Sequence, residues 1–403
     1  MTAHLKEPLR AALGPFMERQ RWYGGKGRHA EVRIADVHQV RPGLLRVIAA
    51  AGTDRYQLLL GEADVAPAPD ATVCEFEGRV LFDALADAGL ALEVLAVVAP
   101  GLEAGSARPV GAEQSNTSVV YDDRYIVKLF RRLASPNPDV EVTVALWRGG
   151  FPHVAEPLGV WRHDGDDLAI AQRFLAGGAD GWDLAVGAAR DGRGFEEEAA
   201  MLGNLTAGLH HALAAAFGTR PATPARWADA AMARLASVDD APIDRDAVRA
   251  VIDRMRAVDD GGAALRVHGD YHLGQVMRAD GQWYVLDFEG EPTRPLEERR
   301  APSSPLRDVA GMLRSFSYAA GTARRHGAPA AQAHEWERAA REAFLGTYLE
   351  AAADLLPRSP DVVLDAFEVD KAVYEVAYER GNRPDWVDIP LEGLQAALAR
   401  SGR

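Results

Sequence analysis

The chain has 403 residues, 48% of them apolar and 26% charged, the composition of a globular protein of two or three domains. Its 59 acidic residues outnumber 45 basic ones, and the net charge of −14 excludes a general binder of nucleic-acid backbones, though not a small anion held in a local basic pocket. A single cysteine, Cys74, excludes an intrachain disulfide and points to a reducing compartment.

Lys6, Glu7 and Arg10 stand where a signal peptide needs an apolar run. The most apolar segment, 84–100, is broken by Asp87 and Glu93 and is too short for a bilayer, so a cytoplasmic protein without membrane contact is expected. The first hundred residues read as short strands, among them 31–37 and 56–60, punctuated by Gly and Pro. The stretch 99–111 holds Pro100, Gly101, Gly105, Pro109 and Gly111 and reads as a boundary. A hairpin follows, with strands 118–121 and 125–130 about Asp122-Asp123. A helix starts near Pro138, and strands are expected over 154–161 and 168–174. Beyond Gly181 the apolar spacing turns helical, over 196–217, 227–235, 246–255 and 331–353. One strand pair interrupts these helices, around 266–268 and 283–288. A strand-rich front half and a helical rear half predict an α+β, two-lobed protein.

The segment His268-Gly-Asp-Tyr-His-Leu-Gly-Gln275, followed by Val285-Leu-Asp-Phe-Glu289, carries the most chemical information. Phosphoryl transfer needs a carboxylate beside the acceptor hydroxyl, oxygen ligands for magnesium and a cation on the nucleotide phosphates. Protein kinases place a metal-binding Asn five residues after the catalytic Asp and a second Asp after the next strand pair. Here Gln275 follows Asp270 by five residues and Asp287 ends an apolar strand. Two other readings stay open on these residues alone: a metal-ligand cluster of His268, Asp270 and His272, and a structural strand–turn–strand.

Upstream, Lys128 ends the run Tyr125-Ile-Val, and Glu141 follows thirteen residues later near the start of the expected helix. That is the spacing of a strand lysine braced by a helix glutamate; an exposed surface ion pair is the alternative. Ser115, Asn116, Thr117 and Ser118 sit where a phosphate-covering loop belongs and offer hydroxyl, amide and backbone donors. Gly24-Gly-Lys-Gly27 is no P-loop, since Gln20 replaces the leading glycine and no Ser or Thr follows Lys26. His210 and His211 read as packing or capping residues, and Arg307 with Asp308 as an interlobe or helix-start ion pair.

Taken together, the chain resembles the maltokinases, within the group of kinases with an aminoglycoside-phosphotransferase-like fold. The resemblance rests on Arg21-Trp-Tyr-Gly-Gly-Lys-Gly-Arg28, Ala112-Glu-Gln-Ser-Asn-Thr-Ser118, Lys128-Leu-Phe-Arg-Arg132 and Asn137-Pro-Asp-Val-Glu141. It continues through the two segments around Asp270 and Asp287, then Ser304-Pro-Leu-Arg-Asp308 and Val369-Asp-Lys-Ala-Val-Tyr-Glu375, in family order over nearly the whole chain. It implies a bilobal, eukaryotic-kinase-like fold with an N-terminal cap over 1–104, a nucleotide-binding subdomain over 105–181 and a mostly helical catalytic lobe over 182–403. It further implies transfer of the γ-phosphoryl group of ATP to the anomeric hydroxyl of maltose, with Mg2+ as cofactor, and maltose 1-phosphate as a precursor of glycogen-like α-glucan. By this resemblance Asp270 is the base, Gln275 and Asp287 are metal ligands and Glu289 assists them. Lys128 and Glu141 serve the phosphates, and the segment after Arg173 and Phe174 is the hinge beside the nucleotide. His268 and His272 flank the base on the acceptor side.

For the sugar, Tyr374 or Trp386 could stack on a pyranose while Glu375, Asn382 and Arg383 hydrogen-bond its hydroxyls. The same stripe also suits a helix core. Glu375, Glu379 and Asp385 keep a second acceptor class open, an aminosugar such as glucosamine or an aminoglycoside. A monomer without nucleic-acid partners is expected.

Overall fold

A computed structural model describes residues 3–26, 31–111, 116–238, 241–291 and 294–402. The chain divides into two compact units, one of residues 1–144 and 155–176, the other of 145–154 and 177–403. Among the described residues no helix is long and apolar enough to cross a membrane.

The first unit opens with a helix where the sequence suggested only strands. Helix α1 (Ala3–Arg19) buries Leu9, Leu13, Phe16 and Met17, a helical period that the internal Pro8 and Pro15 obscure. These side chains cover an antiparallel sheet of β1 (Val32–Arg41), β2 (Leu44–Ala51), β3 (Asp54–Ala63), β4 (Thr72–Phe76) and β5 (Arg79–Asp83), in the order β1-β2-β3-β5-β4. The strand β3 is buried on both faces: Leu58 and Leu60 join α1, while Leu59 points to a second core. That second core contains α2 (Ala88–Val98), also unforeseen, whose start is capped by the Asp87 carboxylate accepting from Leu90 N–H at 2.8 Å.

Opposite α2 lies the second antiparallel sheet, β6 (Ala107–Pro109), β7 (Asn116–Tyr121), β8 (Tyr125–Phe130), β9 (Pro157–His163) and β10 (Asp166–Arg173), in the order β6-β7-β8-β10-β9. The hairpin β7–β8 turns at Asp122 and Asp123, both with positive φ. Helix α3 (Pro138–Arg148) stands between β8 and β9 in the chain. Two backbone bonds splice the sheets, Gln57 N–H to Arg131 C=O at 2.7 Å and Leu133 N–H to Arg55 C=O at 2.8 Å. The buried Arg131 guanidinium ties the splice to Asp83 at 2.6 Å and Thr117 Oγ1 at 2.8 Å.

The second unit is mostly helical. Its elements are β11 (Ala179–Asp180), α4 (Gly181–Asp191), α5 (Glu196–Phe217), β12 (Thr219–Pro221), α6 (Pro224–Ala236), α7 (Arg245–Arg256) and β13 (Ala263–Leu265). They continue with β14 (Val276–Ala279), β15 (Gln282–Val285), α8 (Leu296–Arg300), α9 (Leu306–Arg325), α10 (Ala330–Ala351), α11 (Pro360–Asn382) and α12 (Asp388–Ser401). The expected pairing of 266–268 with 283–288 is corrected. β13 ends at Leu265 and pairs with β12, whereas β15 pairs with β14. The reason is local: Asp280-Gly281 takes φ values of 48° and 75°, the left-handed two-residue turn that suits a hairpin. Helix α9 is buried almost all round and is the core against which α4, α10 and α11 pack.

Candidate active site

In the second unit, the loop between β13 and β14 carries Asp270 and is held by its backbone. Asp308, in the first turn of α9 and 1% exposed, accepts from His268 N–H at 2.7 Å and from Gly269 N–H at 2.9 Å. His210 Nε2 of α5 donates to the same carboxylate at 3.2 Å, which leaves Nδ1 to accept the Tyr348 hydroxyl of α10 at 2.9 Å. Burial works against the Asp308 charge, but His210, His268 and the Gly269 N–H hold it below the usual carboxylate range. Gly269 has φ 86°, and Gly311 of α9 lets the Tyr271 carbonyl approach so closely that a Cβ would lie 2.4 Å from it. Asp308 and Arg307 are thus not the ion pair expected from the sequence; Arg307 instead faces Glu291 at 3.8 Å. Nor does His210 merely fill space.

The loop's own side chains fix it further. His268 is buried, with Nε2 donating to Leu286 C=O at 2.9 Å and Nδ1 accepting from Asp270 N–H at 3.4 Å. The Tyr271 hydroxyl meets Thr206 Oγ1 at 3.1 Å, donating to it because the Thr206 proton goes to Leu202 C=O. Burial lowers the His272 imidazole below its ordinary range, and Nδ1 accepts Gly274 N–H at 3.1 Å. His268 and His272 therefore shape the loop around the Asp270 carboxylate. Leu286 N–H donates to Gln275 C=O at 2.9 Å, which sets Gln275 beside Asp287; Asp287 itself has φ 59°, a left-handed conformation that Asp tolerates. Gln275, Asp287 and Glu289 offer only oxygen donors, the chemistry that a hard cation such as Mg2+ takes.

A cleft opens over Asp270, lined among others by Glu291, Arg294, Asp370, Lys371 and Tyr374. Every carboxylate named in it faces a base. Lys371 Nζ is 3.5 Å from Asp270 Oδ1, Arg294 bonds Glu291 at 2.7 Å, and Arg234 bonds Asp370 at 2.8 Å. Burial opposes the Glu291 charge, but Arg294 and Lys371 draw its carboxyl down to about 2. Of the residues expected to hold sugar, only Tyr374 reaches this cleft. Glu375 is gripped by the buried Arg314 at 2.9 and 2.8 Å, and Asn382 Nδ2 donates to Tyr378 C=O at 2.8 Å. Arg383 pairs with Glu379, and its guanidinium and that of Arg325 lie about the Trp386 ring at 5.1 and 5.0 Å.

In the first unit, Lys128 on β8 donates to Asp139 Oδ2 at 2.9 Å, with side chains 13% and 5% exposed. Asp139 is held in turn by its N–H on Asn137 Oδ1 at 2.9 Å. Glu141, the partner expected from the sequence, is a half-buried residue in the first turn of the same helix. Asn116, Thr117 and Ser118 belong to strand β7 and not to a loop, with Thr117 Oγ1 accepting from Arg131. Ser115 lies outside the described residues, as do Gly27, Arg28, Ala112, Glu113 and Gln114 of the quoted motifs. Arg173 ends β10 in an ion pair with Glu156 at 2.6 Å, and the Phe174 ring sits 5.8 Å from the Arg108 guanidinium.

Asp139, Asp308, Glu291 and Lys371 are the site residues that sequence reasoning missed. Asp308 and Asp139 left a local signal, each an acid in the first turn of a helix beside a proline, Pro305 and Pro138.

A model of the maltokinase N-terminal cap domain matches residues 16–87, and a model of the phosphotransferase enzyme family matches residues 104–360. A glucosamine kinase of Streptacidiphilus jiangxiensis is 32% identical over 335 residues, covering 75% of each chain. A glucosamine kinase of Mycolicibacterium smegmatis is 32% identical over 321 residues, covering 72% of this chain and 79% of that one. Among solved structures, a glucosamine kinase (crystal form A) superposes with a TM-score of 0.78 at 26% identity, over 99% of this chain and 98% of the other.

Proposed function

The chain belongs to the phosphotransferase enzyme family, and on that premise we propose that it transfers the γ-phosphoryl group of ATP to a hydroxyl of an uncharged sugar, the anomeric hydroxyl of maltose. The observation that carries an uncharged acceptor is the pairing in the cleft, where Asp270, Glu291 and Asp370 each already face a lysine or arginine. A cationic acceptor gains from unmatched carboxylates, and a neutral one gains from the many fixed donors and acceptors of paired ones.

In this reading Asp270 accepts the proton of the acceptor hydroxyl as the new O–P bond forms. The bond from the γ-phosphorus to the bridging oxygen breaks, and ADP leaves with that electron pair. Asp308, through two backbone N–H groups, keeps the Asp270 loop in place. Lys128, steadied by Asp139, neutralises phosphate, with Glu141, Asn116, Thr117 and Ser118 supporting that end and Arg173 and Phe174 leading into the hinge beside the nucleotide. Gln275, Asp287 and Glu289 would hold Mg2+, which when bound spreads the developing charge of the phosphate oxygens. The product, maltose 1-phosphate, would serve α-glucan synthesis.

A second reading keeps the chemistry and takes glucosamine as acceptor. It is favoured by the two relatives at 32% identity, both glucosamine kinases. An ADP-release assay over maltose, glucose, glucosamine and kanamycin decides. Turnover of maltose is expected, and turnover of glucosamine with maltose inert would overturn the first reading. Asp270→Asn should lower kcat on the active sugar by ~100-fold or more with the fold retained; a smaller loss would mean that the base lies elsewhere.

A further inference from the structure

We infer that Lys371 is the specificity-determining residue of the acceptor cleft: its ammonium occupies the position that the ammonium of an aminosugar would need, and so admits uncharged sugars in preference to cationic ones. The inference deepens the reading above and rests on it in taking the cleft over Asp270 as the acceptor site.

A cation in such a cleft seeks a carboxylate and an aromatic face. Between Asp270 and Tyr374 the cleft offers both, and Lys371 fills that place. Its Nζ lies 3.5 Å from Asp270 Oδ1 and 5.2 Å from the centre of the Tyr374 ring. Burial disfavours the charge, but Asp270, Glu375 and Glu291 outweigh it and hold the ammonium above the usual lysine range. The position is built rather than incidental. Lys371 is on α11 one residue after Asp370, which the Arg234 guanidinium bonds at 2.8 Å, and that same guanidinium lies 5.7 Å from the Tyr374 ring. Both faces that could welcome a second cation are therefore already in positive surroundings.

The contact with Asp270 is also long for a charge-assisted hydrogen bond, which spans about 2.7–2.9 Å. Lys371 steers the carboxylate through one oxygen and does not clamp it, consistent with a base that must accept a proton from a hydroxyl. An aminosugar entering with its charge would meet like charge at short range, beside side chains that are only partly exposed.

The test uses the full chain with Lys371→Met and Lys371→Arg, reading kcat/KM for glucosamine and for maltose. Lys371→Met should raise kcat/KM for glucosamine at least tenfold without raising that for maltose, while Lys371→Arg, which keeps the charge, should leave glucosamine excluded. A residue that served only packing would not distinguish Arg from Met in this way. No rise for glucosamine in Lys371→Met, or an equal rise in Lys371→Arg, overturns the inference. Should Lys371→Met not fold, Lys371→Gln takes its place, and the unaltered protein gives a second measurement. There, inhibition of maltose turnover by glucosamine should strengthen as rising pH removes the sugar's charge, and inhibition independent of pH overturns the inference. Maltose inert in the unaltered protein counts against the neutral-acceptor reading alone, because the glucosamine arm still reports the effect of Lys371.

Discussion

Asp308 shows how a residue outside the proposed reacting atoms sets the geometry of the loop that carries Asp270. Its two oxygens receive His268 N–H, Gly269 N–H and His210 Nε2–H, so three donors from two segments converge on one buried carboxylate. A carboxylate that accepts several hydrogen bonds in a dry site is strongly favoured as long as all the partners remain. Removing it leaves two backbone donors and an imidazole without an acceptor where water does not reach. Asp308→Ala should therefore cost about 3–5 kcal/mol in urea unfolding. Activity should fall as well, because Asp270 directly follows the two released amides of His268 and Gly269. A loss under 1 kcal/mol would show that the loop is held by other contacts, with the His268 bond to Leu286 C=O as the first candidate.

At the scale of elements, helices α5, α9, α10 and α11 do the positioning, and close approach between them depends on small residues. Gly203 of α5 is the tightest example. A Cβ there would lie 2.1 Å from Thr347 Oγ1 and 2.4 Å from the Phe344 carbonyl, both on α10. Gly203→Ala gains helix propensity of at most about 1 kcal/mol but must push two helices apart, and overpacking of this kind costs about 1–3 kcal/mol. The variant should be less stable, and a rise in its thermal midpoint would mean that α10 shifts freely. Elements also explain what the sequence made legible. The Asp270–Gln275 spacing, the Asp287 strand end and the β7–β8 hairpin are local patterns, so reading the chain along its length finds them. Lys371 meets Asp270 across 101 residues and Asp308 meets His268 across 40, and no spacing rule reaches that far. The helices α1 and α2 were hidden for a different reason: prolines inside α1 and a nearly all-apolar α2 blur the periodicity that marks a helix. At the far end of α11 the stripe of Glu375, Asn382, Arg383 and Trp386 looked like a sugar site, yet Arg314, the helix backbone and Glu379 claim most of its polar atoms.

For the whole molecule, the net charge of −14 matters less than where the carboxylates are buried. Glu291, Asp308 and Glu368 are buried acids of the second unit whose charge burial opposes and neighbouring cations or donors restore, all with carboxyls held below their ordinary range. Glu368, for instance, is gripped by Arg341 at 2.9 Å and Arg400 at 3.1 Å. The unfolded chain protonates such groups near pH 4–4.5 and the folded one only lower, so between these values the unfolded state binds more protons. Their stabilisation is complete above the unfolded values and is lost as pH falls through the folded ones. Glu291, drawn from 4.5 to about 2, contributes on the order of 3 kcal/mol in this way. Asp365 on α11 has the opposite sign: burial and the nearby Glu368 push its carboxyl up to about 6. Its contribution is present below its unfolded value and is lost as pH rises through about 6. The two directions together predict a thermal midpoint that peaks near pH 5, falls steeply toward pH 3 and declines gently to about pH 6, where it levels (all roughly, from the linkage of these shifts). Glu291→Gln should flatten the acid side, while Asp365→Asn should flatten the decline above pH 5 and raise the midpoint at pH 7. A profile of Glu291→Gln that keeps the full acid slope would place that slope on Asp308 and Glu368 instead, the two carboxylates that hold the Asp270 loop and tie α11 to α10 and α12.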